Sequence, residues 1–313
     1  MAQGEEDALA LVRNWMADKW LTVVERKPAA KYRLVYFGWS GNRCGRGSDC
    51  GPHKPVNWSH ALPDFEVHEI CLPGHGARMN EAPYSGSVVQ LVQEMAAALR
   101  EVLMRDSGGP GCCRPFCFVG FAFGAILAHE VAVEMGEYAL RTKEAAHICT
   151  AEIRESYTKR PFLVVAVSCE APSWAGRIPS SHHTLSDAAF VEELRRQGGT
   201  EELLAIPEAL ELFLPIVKAD VRLEELYEYT PDRATSSSAI IAIYGGKPSA
   251  LAGASQVTDE AAEAWVALSG VKISRVVRVD QLDWFLLETE EGVNAVLSQV
   301  RQHLEKWVQP FVG

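Results

Sequence analysis

Apolar residues along the chain gather in short continuous runs, and segments with helical spacing lie between them. The runs occupy residues 33–37, 66–72, 115–121, 162–168, 239–244 and 271–277, and the second of them also contains Glu66, His68 and Glu69. The helical segments occupy residues 88–104, 126–135, 251–268 and 293–308. Continuous apolar runs are typical of strands that are buried on both faces of a parallel sheet. The alternation therefore predicts an α/β fold, with a mostly parallel central sheet flanked by helices.

The beginning of the chain has a pattern of its own. Residues 5–26 place apolar side chains near helical spacing behind a group of acidic residues. This predicts an amphipathic helix in an N-terminal extension, residues 1–30, ahead of one domain over residues 31–313. The apolar face of the helix either packs on the domain or docks on a partner protein, and its tryptophans, Trp15 and Trp20, suit both roles.

A second departure from the alternation lies between the fourth and fifth apolar runs. Residues 185–230 have helical spacing throughout and contain no strand candidate. Folds of this class bind ligands at the carboxyl edge of the sheet, so we expect this insertion to form a helical lid over that edge. The Gly- and Cys-rich loop over residues 42–55 is longer than its neighbours.

Composition narrows the classes of function. The chain is 48% hydrophobic and 23% charged, as in ordinary soluble globular proteins. Its net charge of −11 argues against a nucleic-acid partner, because affinity for nucleic acid comes largely from Lys and Arg. No apolar run approaches the roughly 20 residues that span a membrane.

The eight cysteines are dispersed and show no zinc-ligand spacing, so we expect neither a metal nor another cofactor. The start of the chain lacks a basic segment followed by an apolar one. Together these features predict an intracellular protein in a reducing compartment, cytoplasmic unless it resides in an organelle.

The string Gly120-Phe-Ala-Phe-Gly124 lies between an apolar run and a helical segment. It follows the pattern G-x-S-x-G except at its centre. In that pattern the glycines permit a tight strand-to-helix turn, and the serine at its centre is the nucleophile of a hydrolase. Ala122 has no hydroxyl, so the turn is predicted to keep the shape of such a site without its reactive group.

Several further motifs occur in the order found in type II thioesterases, and the resemblance extends over nearly the whole chain after about residue 32. The motifs are Phe37-Gly-Trp-Ser-Gly41, Leu72-Pro-Gly-His-Gly-Ala-Arg78, Leu185-Ser-Asp with Phe190, Leu194 with Gly198-Gly199-Thr200, Phe213-Leu-Pro-Ile-Val-Lys-Ala-Asp220 and Tyr244-Gly-Gly246. The chain thus resembles the acyl-carrier-protein thioesterases of polyketide, non-ribosomal peptide and fatty-acid synthesis. This resemblance implies the α/β-hydrolase fold, and acyl carrier protein or acyl-CoA as the partner.

The resemblance also implies three catalytic positions, and this sequence departs from the family at each. Ala122 stands at the nucleophile position. Asp283, within Gln281-Leu-Asp-Trp-Phe-Leu286, stands where the family has the histidine of G-G-H-F-F-L, and Ser249 or a neighbour stands at the acid position. An engineered serine-to-alanine change explains only Ala122. Because the members of a triad act as one unit, the triple departure predicts a catalytically inactive pseudoenzyme.

What survives in the sequence is the apparatus that would hold a carbonyl group. By resemblance, the oxyanion hole uses the backbone amides of Ser40 and Phe123, and backbone donors do not depend on the side chain. Four bulky residues are candidates for the pocket wall. They are Trp39, His75, Phe121 and Trp284. Their rings either line an open pocket or fill it.

Three hypotheses follow. The first is an inactive thioesterase-like protein that binds acyl-thioester or acyl-carrier ligands, or partner proteins. The second is an active type II thioesterase with unusual catalytic residues or an engineered nucleophile. The third is a structural subunit of a larger assembly that makes contact through its N-terminal helix and the loop over residues 42–55.

Overall fold

The computed structural model describes residues 15–38, 55–105, 114–144, 160–249 except 179, 199, 232 and 234, and 256–308. A sheet forms the centre of this part of the chain. Its strands are β1 (Leu21–Val23), β2 (Tyr32–Phe37), β3 (Phe65–Ile70), β4 (Phe116–Phe121), β5 (Leu163–Val167), β6 (Ala239–Gly245) and β7 (Arg275–Val279). Their spatial order is β1-β3-β2-β4-β5-β6-β7. All pairs are parallel except β1 with β3, which confirms the predicted α/β fold.

Helices cover both faces of the sheet. Their bounds are α1 (Pro55–Ala61), α2 (Val88–Arg105), α3 (Phe123–Glu144), α4 (Asp187–Gln197), α5 (Glu201–Leu204), α6 (Pro207–Glu225), α7 (Asp259–Ala267) and α8 (Glu290–Val308). Successive residues of a strand point to opposite faces, so each central strand contributes to two apolar layers. In β4, Phe118 joins the layer with α2 and α3, and Val119 joins the layer with α1 and α8.

The helices α4, α5 and α6 form an insertion between β5 and β6, which we call the helical insertion (residues 182–225). Ser186 caps the start of α4 by accepting a hydrogen bond from the amide of Ala189. The insertion has a small apolar cluster of its own, in which Val217 of α6 packs with Phe190 of α4. Farther along α6, Leu223 belongs to the main layer under the sheet.

The prediction of a helix over residues 5–26 is wrong for its C-terminal part. Residues 15–18 are helical, but Leu21–Val23 form strand β1, which pairs antiparallel with β3. The reason is that Leu21 and Trp20 are buried against the sheet, whereas Trp15 and Met16 are exposed. Residues 1–14 lie outside the described part of the chain, and the boundary at residue 30 stays a prediction.

Two other predicted elements begin later than expected. The last strand forms at Arg275–Val279 rather than over residues 271–277, since the Ser274 hydroxyl accepts from the Ile240 amide just before pairing starts. The helix predicted over residues 251–268 begins at Asp259, where the Thr258 side chain caps it. Residues 250–255 lie outside the description. Within the described residues, no helix combines the length and apolarity needed to cross a membrane.

Candidate functional site

The turn at Ala122 has the backbone shape of a nucleophile elbow. Ala122 is the single residue between β4 and α3, and its φ is 50°. A non-glycine residue in this left-handed region is destabilised by about 1–2 kcal/mol, so such a residue is held there by its surroundings. The Ala122 amide donates to the Val167 carbonyl at 3.0 Å, which fixes the turn at the carboxyl edge of the sheet.

The two glycines of the turn are required by close backbone contacts. A Cβ on Gly120 would lie 2.4 Å from the Cα of Ala125. A Cβ on Gly124 would lie 2.3 Å from the carbonyl oxygens of Phe37 and Gly38. Helix α3 therefore begins directly against the end of β2, and only glycine fits at either position.

The candidate oxyanion-hole donor Phe123 is the first residue of α3. The first amides of a helix have no intrahelical acceptor, and the helix dipole places partial positive charge at this end. The Phe123 ring is buried in the layer under the sheet, so its side chain points away from solvent. The second predicted donor, Ser40, and the pocket candidate Trp39 lie outside the described residues.

The structure uses Asp283 as a local cap. Its Oδ1 accepts from the Phe285 amide at 3.0 Å, which closes the loop after β7. The backbone of Asp283 lies against β6, since a Cβ on Gly245 would come within 2.0 Å of the Asp283 carbonyl oxygen. Asp283 thus has a structural task that does not need a histidine partner.

A small cleft opens between the carboxyl ends of β5 and β6, and the predicted acid position Ser249 lies on its wall. The cavity has a volume of about 10 Å³, and its lining residues are Ser168, Tyr244, Gly245, Lys247, Ser249, Gln256, Val257 and Trp284. Sites that enclose drug-sized ligands are usually about 300–1,000 Å³. At about 10 Å³ this cleft has room for about one water molecule and none for an acyl chain.

Ser168 is a residue of this cleft that the sequence reasoning missed. Its φ is 49°, so it repeats at the end of β5 the left-handed backbone of Ala122 at the end of β4. The hydroxyl donates to the Trp284 carbonyl at 2.7 Å, and the amide donates to Ile243 at 2.8 Å. The available signal was its position directly after a parallel strand at the ligand-binding edge.

Two of the four pocket candidates pack on each other. The rings of Phe121 and Trp284 have centroids 4.9 Å apart, and Trp284 contacts Phe285 at 4.8 Å. Ala122 and Trp284 both pack against the apolar layer that contains Phe121. These contacts bring the end of β4 and the Asp283 loop together.

The remaining pocket candidate, His75, is buried and paired. Its Nε2 lies 2.9 Å from Asp220 Oδ2 on α6, and its Nδ1 lies 3.2 Å from the Pro73 carbonyl oxygen. Burial acts to lower the pKa of His75, but the hydrogen bond and charge of Asp220 outweigh it and raise the pKa. With both nitrogens engaged, His75 does not serve the turn as a general base.

Two other ionisable residues considered for this site, Glu170 and His129, have pKa values shifted by burial. Burial raises the pKa of Glu170, opposed by the charge of Arg177. His129 is buried on α3 against the Trp265 ring, and burial lowers its pKa to about 4. In the described part of the chain, no three His, Cys, Asp or Glu side chains are grouped so as to hold a metal.

Comparison with known proteins gives a consistent picture. The family model described as Thioesterase domain matches residues 145–304, a segment that begins after the Ala122 turn and includes Asp283. The chain is 28% identical over 255 residues to the gramicidin S biosynthesis protein GrsT of Aneurinibacillus migulanus, covering 79% of this chain and 80% of that protein.

Two solved structures share the fold. RedJ, a thioesterase from the prodiginine pathway of Streptomyces coelicolor, has a TM-score of 0.64 at 24% identity, covering 90% of this chain and 95% of RedJ. BorB, a type II thioesterase from the borrelidin biosynthetic cluster, has a TM-score of 0.62 at 22% identity, covering 92% and 97%. At these identities the likeness shows that the fold is the same.

Proposed function

Since the chain belongs to the thioesterase family, we propose that it is a member that holds acyl thioesters at the Ala122 turn without hydrolysing them. The observation that carries this proposal is a strained elbow with a methyl group at its centre. The backbone keeps the left-handed φ, and the amides of Phe123 and Gly124, the first two of α3, have no acceptor within the helix. Carbonyl binding needs those amides, whereas hydrolysis also needs an oxygen nucleophile and a base.

The state of Asp283 supports the same proposal. Its carboxylate accepts from the Phe285 amide within its own loop. A carboxylate at the base position of a serine hydrolase has no hydroxyl to activate when alanine is at the turn. The relatives belong to gramicidin S, prodiginine and borrelidin biosynthesis, which favours acyl groups on carrier proteins of secondary metabolism as the ligand.

The test measures binding and turnover with the same compounds, acyl-N-acetylcysteamine thioesters of several chain lengths. We expect calorimetric binding by the unmodified chain and by Ala122→Ser, with thiol release at the buffer rate. Ala122→Ser combined with Asp283→His restores a nucleophile and a base, and we expect at least about 100-fold faster release. Asp283→His alone is the matched control. It should release thiol at the buffer rate, because it lacks the serine hydroxyl.

A second candidate function is that of a partner-binding subunit, and two observations favour it. Phe121 and Trp284 occupy space beside the turn, and Trp15 and Met16 are 61% and 58% exposed next to β1. Failure of every thioester to bind, together with a partner that copurifies with the unmodified chain and is lost in Trp15→Glu, would replace the first proposal by this one. Turnover by the unmodified chain would overturn both.

A further inference from the structure

The loop that follows β3 carries side chains that reach the helical insertion, and we call it the L-P-G loop (residues 71–87). His75 of this loop contacts Asp220 of α6, 145 positions farther along the chain. Two residues farther along α6, Arg222 donates to the Ser85 carbonyl at 3.3 Å. Both contacts are on one stretch of α6, so the insertion is fastened to the sheet edge at this point.

The geometry around His75 defines the protonation state of its ring. Nδ1 faces the Pro73 carbonyl at 3.2 Å and Nε2 faces the Asp220 carboxylate at 2.9 Å. A carbonyl and a carboxylate accept hydrogen bonds and do not donate them. Only the imidazolium has an N–H on both nitrogens, so a neutral ring would turn a lone pair toward one of these oxygens.

Within the described part of the chain, the groups that face the pair come from the L-P-G loop and from α6. From the L-P-G loop, the Cys71 thiol donates to the His75 carbonyl at 3.2 Å. Arg78 of the same loop directs its guanidinium to Glu81 and to the Cys71 carbonyl, so its charge is matched there. From α6, the facing group is Asp220 itself. His75 and Asp220 are 7% and 5% exposed, which leaves little solvent to screen their attraction.

Asp220 lies in α6 between the part that packs within the insertion and the part that packs on the main layer. The earlier part of the helix packs in the insertion's own cluster through Val217, and the later part joins the main layer through Leu223. Pro215 lies inside the helix and removes one backbone hydrogen bond, which weakens the helix just ahead of Asp220. The ion pair is thus located where the insertion meets the body of the protein.

We propose that the His75–Asp220 ion pair is a proton-dependent latch that holds α6 on the L-P-G loop, and that the insertion loosens when His75 loses its proton. The latch affects only how the insertion is held on the L-P-G loop. The proposal is therefore independent of whether the Ala122 turn binds a thioester. Its direction follows from linkage: the folded pKa of His75 is raised above 6.5, so the stabilisation is complete below pH 6.5 and is lost as pH rises through the folded pKa.

The experiment measures two properties of the full chain between pH 6 and pH 9. NMR of the imidazole nitrogens reports the protonation of His75, which we expect to persist above pH 6.5. Amide hydrogen exchange of peptides from α6, corrected for the chemical rate, reports the seating of the helix. We expect exchange to accelerate across the His75 titration, by up to about tenfold per pH unit.

Two variants separate the latch from ordinary packing. Asp220→Asn removes the charge while keeping the side-chain shape, and we expect α6 to exchange rapidly already at pH 6, with little further change toward pH 9. His129→Gln is the control, because His129 is buried and stays neutral over this range; it should keep the pH dependence of α6. If His75 titrates below 6.5 in the unmodified chain, or if α6 exchange in that chain shows no corrected pH dependence, the latch is refuted.

Discussion

At the scale of single residues, the turn between β4 and α3 combines a demanding backbone with an inert side chain. Ala122 has a φ of 50°, and the flanking glycines let α3 start against β2. A serine in this position would hold its hydroxyl at the same edge of the sheet. The chemistry that is missing is therefore a matter of side chains, while the backbone that positions them is intact.

The tight contact at Gly124 gives a prediction for stability. In Gly124→Ala, the new methyl would lie 2.3 Å from two carbonyl oxygens of β2's end, and neither can move without disturbing the sheet. We expect the free energy of unfolding to fall by about 3 kcal/mol. Chemical denaturation followed by circular dichroism measures it.

Gly136 in the interior of α3 provides the matched control. A methyl there meets only the Ser237 hydroxyl, at 3.2 Å, and alanine favours the helix by about 0.5–1 kcal/mol. Gly136→Ala should therefore leave stability unchanged or raise it. Equal losses in the two variants would mean that the turn is not the constrained point described above.

The sequence was sufficient to locate some site residues and insufficient for others. Ala122 and Asp283 were found because motifs surround them, and the structure places their segments side by side. Ser168 was missed because a left-handed φ on serine has no sequence signature. The pairing of His75 was missed because its partner is 145 positions away, and a contact of that separation exists only once the fold is known.

At the scale of elements, the sequence predicted the buried strands well and the edge elements poorly. Strands β2, β4, β5 and β6 are largely apolar on both faces, so a continuous run identifies them, whereas β3 also buries Glu66, His68 and Glu69. Strand β1 covers only Leu21–Val23, within a stretch whose apolar spacing also fits a helix. These residues form a strand because they pair with β3. Strand β7 is only partly buried, so its apolar pattern did not define where pairing begins.

The helix α3 was predicted to be shorter than it is. The sequence indicated residues 126–135, and the structure extends the helix from Phe123 to Glu144. In the continuation, Glu137 contacts Arg233 of the segment after α6, as Glu130 and Glu134 do within the predicted part. Polar side chains with a partner from elsewhere in the chain do not interrupt a helix, but they remove the apolar signal that would predict it.

At the scale of the whole molecule, different groups of residues lie at the carboxyl ends and at the amino ends of the strands. The carboxyl edge carries the Ala122 turn and the cleft. Near the amino edge, Glu66 forms a buried polar cluster: it lies 3.1 Å from His68, accepts at 3.1 Å from Arg114, and also accepts from the Lys27 amide. This cluster ties the start of the chain to β3 and to the segment before β4.

The Glu66 cluster predicts a loss of stability in acid. Burial acts to raise the pKa of Glu66, but the hydrogen bonds from His68 and Lys27 and the charge of Arg114 lower it to about 2. The stabilisation is therefore present above the ordinary pKa near 4.5, and is lost as pH falls from there toward 2. We expect this group to contribute on the order of 2–3 kcal/mol at neutral pH.

Denaturant unfolding as a function of pH, in the unmodified chain and in Glu66→Gln, checks this. The variant should be less stable at pH 7 and should show a smaller decrease in stability between pH 5 and pH 3. Glu192→Gln, an exposed carboxylate on α4, is the control and should follow the unmodified chain. Parallel pH profiles for Glu66→Gln and the unmodified chain would contradict the assigned role of the carboxylate.

If the chain binds acyl thioesters without cleaving them, as we propose, the unmodified protein does not accelerate thiol release. Acyl-N-acetylcysteamine is incubated with the protein at several concentrations, and intact mass is recorded alongside. We expect release at the buffer rate and no acyl adduct, because Ala122 offers no oxygen to acylate. Release that rises in proportion to protein over many turnovers would contradict this proposal.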